Sequence, residues 1–144
     1  MTATAAPSFW RRGEDEVSLA RLYLMRAIAI FFVAQGIFNI WPNILVPDTT
    51  ARGMITSVLG GLWVMALIGI RYPLKILPIY LFEFAWKTLW LLAFGLPQWL
   101  SGAGSPRLGE DLVEIGAFSL VFALIIPWGY VWRHYVQAPG DRWT

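Results

Sequence analysis

The sequence contains no cysteine, which excludes disulfides, thiol catalysis, iron–sulfur clusters and cysteine-based metal sites. His134 is its single histidine, so bis-histidine haem ligation and a histidine-rich metal site are excluded as well. The chain also lacks a P-loop, a dinucleotide-binding fingerprint, a nucleophile elbow and a zincin motif. These absences favour a non-catalytic protein that requires no cofactor.

Charge is scarce too. Only 14% of the 144 residues are charged whereas 58% are hydrophobic, and a soluble domain has about 25% charged residues. This composition predicts one domain that lies mostly in a bilayer. The net charge of +2 and the position of the basic residues at helix ends argue against a nucleic-acid partner. Arg11-Arg12 is followed by an acidic run, so we interpret the next apolar segment as a retained helix and not as a twin-arginine signal.

Four apolar segments have the length of membrane helices, which need about 20 residues. They cover residues 20–41, 54–70, 74–96 and 112–132. The residues expected to separate these helices are Pro42 and Pro47, then Pro73, then Pro97 with Gly102, Gly104 and Pro106. Pro127 is expected to kink the last helix. The linker between the second and third segments is short enough to make them antiparallel neighbours. The sequence therefore predicts an all-α bundle of four transmembrane helices in a single membrane domain.

Basic residues are distributed unequally between the two sides of this bundle. The segments that flank the helices on the side of the termini contain eight, namely Arg11, Arg12, Arg21, Arg26, Arg71, Lys75, Arg133 and Arg142. The other side contains Arg52 and Arg107. Because basic residues are retained on the cytoplasmic side, both the segment 1–19 and the tail 133–144 are predicted to be cytoplasmic.

The third predicted helix has Glu83 and Lys87 in the interior of its apolar run. Residues four apart share a helix face, and Glu before Lys is the better order for an ion pair. Tyr80 and Trp90 continue this stripe, and Trp86 borders it. Since a charge inside a membrane helix is costly, the stripe is expected to face protein or water. Two interpretations stay open: a structural ion pair between packed helices, or an aromatic-walled site for a quinone, a lipid headgroup, a small solute or protons.

Two residues on other helices extend this candidate site. Arg26 lies at about the depth of Glu83, roughly 10 Å into its helix, and either pairs with Glu83 or extends to the interface. Glu114 begins the fourth predicted helix, where a role in stabilising the helix dipole is favoured over a role in a charge pathway. The candidate ligand or charge site comprises Arg26, Tyr80, Glu83, Trp86, Lys87, Trp90 and Glu114.

Other polar and small residues have structural interpretations. Gln35 and Asn39 are expected to form hydrogen bonds between helices, and His134 is expected to contact lipid headgroups. Small residues on the second helix offer a surface against which the aromatic stripe can pack, which is the structural alternative to a cavity; they are Ser57, Gly60, Gly61 and Ala66.

The segments RYPLKILPIYLFEFAWKTLWLLAFGLP (71–97) and IPWGYVWRHYVQAPGDRW (126–143) resemble a family of small, uncharacterised four-helix proteins of the bacterial inner membrane. The first helix, with Leu-Met-Arg at 24–26 and Gly36 ten residues after the arginine, is weakly similar to the start of DoxX-like membrane proteins. The first resemblance implies a multi-pass inner-membrane protein. The second implies an association with quinone-linked oxidoreductases.

We predict a small, non-catalytic inner-membrane protein that acts as an accessory subunit or binds a lipid- or quinone-like molecule through the Glu83/Lys87 face. One alternative is a small proton-coupled transporter in which Arg26, Glu83, Lys87 and Glu114 form a charge pathway. Another is a membrane subunit of a quinone-linked oxidoreductase. The expected partners are membrane lipid and either a larger membrane complex or further copies of the chain.

Overall fold

The computed structural model describes residues 16–140, and every regular element in this range is helical. Its helices are α1 (Leu19–Ile44), α2 (Ala51–Arg71), α3 (Pro73–Ser101), α4 (Leu108–Ile125) and α5 (Trp128–Val136). By length and composition α1, α2 and α3 are each able to cross a membrane, and α4 with α5 form a bent fourth candidate. The predicted all-helical fold is confirmed for the described residues. Arg11, Arg12 and Arg142, which contribute to the twin-arginine and orientation arguments, lie outside them.

Pro42 and Pro97 do not end their helices, so that part of the prediction is wrong. Each follows a π-helical turn, Gly36–Ile40 in α1 and Leu91–Gly95 in α3, and lies at the start of a further α-helical turn. A proline inside a helix removes a backbone donor and crowds the preceding turn. Local π-helical geometry lets an apolar helix satisfy the freed backbone groups, so the helix continues. α3 ends at Gly102, which is one of the predicted breakers and whose φ of 70° is left-handed.

The kink predicted at Pro127 is confirmed. Ile126 is extended, with a ψ of 124°, as a residue before proline prefers, and the axes of α4 and α5 differ by 66°. The indole Nε1 of Trp128 donates a hydrogen bond to the Ala123 carbonyl at 2.8 Å across the break. α5 therefore turns away from α4 while one side chain still satisfies a carbonyl in its last turn.

Both ends of the described chain meet at one end of the bundle. Arg133 Nη2 donates to Glu16 Oε2 at 3.0 Å, and His134 Nε2 lies 3.1 Å from the same oxygen. The hydrogen bond with His134, and then that from Arg133, lower the pKa of the Glu16 carboxyl. His134, expected at lipid headgroups, thus contacts protein, and its ring stacks on Tyr130 at 4.1 Å.

Two names are used below for the ends of the bundle. The linker end is the one that holds the Glu16 contacts and the turn at Tyr72. The loop end is the opposite one, with residues 45–50 and 102–107.

The long helices pack mainly as two antiparallel pairs, α1 with α2 and α3 with α4. α2 and α3, predicted to be neighbours, meet chiefly at the first turn of α3, Pro73–Ile76. There Gly69 permits a close approach, because a Cβ on it would lie 2.9 Å from Ile76 Cγ1 and 3.1 Å from Ala29 Cβ. The pairs are therefore joined chiefly at the linker end.

The buried core fills the half of the bundle near the linker end. Tyr80 is fully buried there, its hydroxyl donates to the Met25 carbonyl at 2.8 Å, and its ring centroid lies 6.0 Å from that of Phe122. The other core residues are Ala29, Phe32, Ala66, Ile76, Leu77, Ile125 and Ile126. This core contains Phe32, which also lines the cavity described next, so the two adjoin.

Candidate functional site

A cavity of about 260 Å³ lies between the two helix pairs, and all four long helices contribute to its wall. We call it the central cavity. Its aromatic wall consists of Phe31, Phe32, Trp63, Trp86 and Phe118. Its polar side chains are Gln35, Glu83, Lys87 and Glu114. A small polar region surrounded by rings is the usual composition of a site for a small molecule.

Glu83 and Lys87 form an ion pair inside the bundle. Both lie on the α3 face that points into the bundle, with 2% and 7% of their surface exposed, and Lys87 Nζ contacts Glu83 Oε2. The second carboxylate oxygen, Oε1, is buried and has no hydrogen-bond partner among the described residues. Burying a charged acceptor without a partner is costly, and such groups are rare in folded proteins. Glu83 is thus a residue of the cavity wall, and one of its two carboxylate oxygens has no hydrogen-bond partner in the described part of the chain.

Aromatic rings hold the Lys87 ammonium in place. Nζ lies 4.0 Å from the ring centroid of Trp86, 5.4 Å from that of Phe122 and 6.0 Å from that of Phe118. A cation within about 6 Å of a ring face is attracted to it. These contacts and the ion pair fix the ammonium beside Oε2, so it does not reach Oε1.

Glu114 lies in the wall of the central cavity and not at the helix start. The acidic residues of the first turn of α4 are Glu110 and Asp111, whereas Glu114 lies six residues after Leu108, roughly 9 Å along the axis. The dipole-stabilising role expected for Glu114 is therefore wrong, because α4 begins at residue 108 and not at 112. Glu114 is exposed at the bundle surface, lines the cavity and is close enough for its charge to act on Lys87.

Gln35 is a cavity residue that sequence reasoning assigned to another role. Its Oε1 accepts a hydrogen bond from the Asn39 side chain, so this pair bonds within α1 and not between helices as expected. The amide N–H groups of Gln35 remain available as donors in the cavity wall. The π-helical turn Gly36–Ile40 begins at the next residue, and such turns are frequent at functional sites. The available signal was a polar residue in an otherwise apolar helix.

Three of the predicted site residues lie outside the central cavity wall. Tyr80 belongs to the core, and Trp90 packs beside Gly95, where a Cβ would lie 2.7 Å from its ring. Arg26 lines a separate cavity of about 510 Å³ at the linker end, together with Lys75. Within residues 16–140 the ion-pair partner of Glu83 is Lys87, so the structure does not contain the alternative pair with Arg26.

The small residues of α2 do not form a surface for the aromatic stripe. A Cβ on Gly60 would lie 2.6 Å from Ile44 Cδ1 of α1, and Ala66 is part of the core. A Cβ on Gly61 would have no neighbour within 4 Å, and the Ser57 hydroxyl donates to the Gly53 carbonyl at 2.9 Å. Of the two glycines only Gly60 lies at a close approach of α2 to α1, and the Glu83 face borders the central cavity.

Comparisons with protein-family models, with curated proteins and with solved structures find no match. Among the described residues, no group of three or more His, Asp or Glu side chains is arranged to hold a metal ion. The geometry offers an ammonium that is already paired, a carboxylate oxygen that is not, an amide donor and aromatic walls. This arrangement suits the recognition of a polar head attached to an apolar body.

Proposed function

We propose that this chain is a small, non-catalytic multi-pass protein of a bacterial inner membrane that binds the polar head of a lipid- or quinone-like amphiphile in the central cavity. The observation that carries this proposal is Glu83, a residue of the aromatic cavity wall whose buried Oε1 has no hydrogen-bond partner in the described part of the chain. A hydrogen-bond donor on the head, such as a lipid ammonium group or the hydroxyl of a quinol, would satisfy this oxygen. The rings around it would bury the apolar part next to the head.

The size of the cavity limits the bound portion. A volume of about 260 Å³ is slightly below the range of about 300–1,000 Å³ that is usual for small-molecule sites. It suits a head of the size of one ring and not a whole lipid. The remainder of the amphiphile would extend between the separated helix pairs into the bilayer.

The burial of Glu83 and Lys87 favours amphiphile binding over the role of an accessory subunit that docks on another protein through the Glu83/Lys87 face. Glu83 and Lys87 are 2% and 7% exposed, so the surface of another protein would not reach them without opening the bundle. A small head that enters the cavity meets no such obstacle.

Filling the cavity is expected to release the amphiphile. We predict that the wild-type protein, purified in mild detergent and examined by native mass spectrometry, carries a bound amphiphile that Ile115→Trp removes. Ile115 lines the cavity, whereas Val113 on the same helix is 73% exposed, so Val113→Trp is the matched control and should retain the ligand. Equal retention in both variants would identify the bound molecule as lipid on the outer surface and contradict the proposal. A wild-type protein without any amphiphile would contradict it too.

Orientation in the membrane supplies a second expected result. Both termini are proposed to be cytoplasmic, since eight basic residues flank the helices on their side and two flank them on the other. Reporter fusions after residue 144 and within residues 101–105 should report opposite compartments, with the first one cytoplasmic. A C-terminal fusion that reports the periplasm would refute this topology.

A proton-coupled carrier is the second candidate function. It is favoured by the common cavity of three ionisable residues, with Glu114 exposed and Lys87 and Glu83 buried. Arg26, the fourth member of the predicted charge pathway, lines the other cavity, and along α3 the buried Tyr80, which contacts Met25, lies between the two. A transport cycle would have to open this contact. Saturable, proton-driven solute uptake into proteoliposomes would favour the carrier over the binding protein.

A further inference from the structure

We infer that the central cavity selects amphiphiles whose head is a protonated primary or secondary amine. The inference rests on the proposed function and narrows its ligand class. It depends on two observations: the charge balance of the cavity wall and the geometry around Glu83.

The wall of the central cavity contains more negative than positive groups. Glu83 and Glu114 contribute two carboxylates and Lys87 contributes one ammonium, which leaves a net charge of −1 when all three are ionised (+1 − 2 = −1). A neutral head leaves this charge in place, and an anionic head would add to it. A head with one positive charge balances it, which matters most where water is scarce.

The geometry around Glu83 requires a donor as well as a charge. Oε2 is occupied by Lys87, and Oε1 is buried without a partner in the described part of the chain. A protonated amine has N–H groups that can donate to Oε1, and a hydrogen bond between two charged groups is stronger than one between neutral groups. The cavity rings, Trp63 and Phe118 among them, would also attract a cation through their faces.

Glu114 fits the same ligand at the cavity entrance. It is the exposed member of the polar set, so a head that approaches from the bundle surface meets its carboxylate before that of the buried Glu83. A negative charge at an opening raises the local concentration of cations. The two carboxylates thus act in sequence on one ligand, Glu114 at the surface and Glu83 in the interior.

The test compares two probes that share one apolar body, phenethylamine and phenethyl alcohol. The amine is charged at neutral pH, and the alcohol also donates a hydrogen bond but is neutral. Binding is measured by isothermal titration calorimetry on the full chain in phosphatidylcholine nanodiscs, with the heat from empty nanodiscs subtracted. The wild-type protein is expected to bind the amine about tenfold or more tightly than the alcohol, because of the charge-assisted bond to Glu83.

The Glu83→Gln variant is expected to lose this preference while it still binds the alcohol. The matched control is Glu110→Gln, which removes an exposed carboxylate of α4 that does not line the cavity and should leave the preference unchanged. If Glu83→Gln does not fold, as judged by circular dichroism and size-exclusion chromatography, Glu114→Gln replaces it and should reduce the preference.

Three results would overturn the inference. If the wild-type protein binds both probes equally, the cavity does not select a cation, although the proposed function stands because a head still binds. If the preference for the amine persists in the folded carboxylate variant, it does not originate in the cavity. If neither probe binds, the inference fails, and native mass spectrometry of the wild-type and Ile115→Trp proteins decides separately whether the proposed function fails with it.

Discussion

Replacing Lys87 with methionine is expected to lower the free energy of unfolding by about 3–5 kcal/mol, because the buried Glu83 carboxylate then loses its ion-pair partner. Oε1 of Glu83 is already without a hydrogen bond in the described structure, so in this variant neither oxygen would have a protein partner. Reversible unfolding in mixed micelles with increasing sodium dodecyl sulfate, followed by circular dichroism, measures the loss.

Two further variants test whether the loss of stability comes from the broken Glu83–Lys87 pair or only from a change of a buried side chain. Glu83→Gln should cost less than Lys87→Met, because the amide oxygen still accepts from Lys87 and the ammonium keeps its ring contacts. The double variant, Glu83→Gln with Lys87→Met, should also lose less free energy of unfolding than Lys87→Met alone, since no uncompensated charge remains. Arg107→Met is the control: it breaks the exposed 3.7 Å pair with Glu110 and should change stability by less than about 1 kcal/mol. Additive losses in the double variant would mean that Glu83 and Lys87 do not interact.

The second large effect is expected at Gly69, where α1, α2 and α3 meet. Gly69→Val should destabilise the protein by about 1–3 kcal/mol, because added methyl groups in a filled core displace their neighbours. The first added carbon would already press on Ile76, which is 2% exposed, and on Ala29, which is fully buried. The same unfolding measurement in mixed micelles gives the magnitude.

Gly61→Val is the control for Gly69→Val. It makes the same change in the same helix at a position where a Cβ has no neighbour within 4 Å, so its effect should be small. Adding Ile76→Ala to Gly69→Val should recover part of the loss by making room for the new side chain. Equal losses at both glycines would indicate a cost of valine in the helix and not of packing between helices.

Features that depend on residues close together in the sequence could be predicted without the structure. The four apolar segments and the kink at Pro127 belong to this group, since length, hydropathy and the missing donor of proline act locally. The ion pair of Glu83 with Lys87 does too, because a spacing of four places both side chains on one helix face.

Helix ends were harder to predict because they depend on small differences in backbone geometry. Pro42 and Pro97 are ordinary signals for the end of a helix, yet a π-helical turn before each of them lets the helix continue. The start of α4 at Leu108 moves Glu114 from the first turn into the cavity wall, which changes its proposed role from the helix dipole to the ligand.

The sequence by itself determined the helical character, the number of long apolar segments and the face of α3 that carries charge, because each follows from local periodicity. Only the tertiary structure decided what this face meets. Gly60 brings α2 against α1 along their length, whereas α2 meets α3 chiefly at Gly69, beside the first turn of α3. Phe31, Trp63 and Phe118 therefore lie around Glu83 from three other helices. Whether the second oxygen of that carboxylate finds a partner depends on this long-range packing, and no spacing along the chain encodes it.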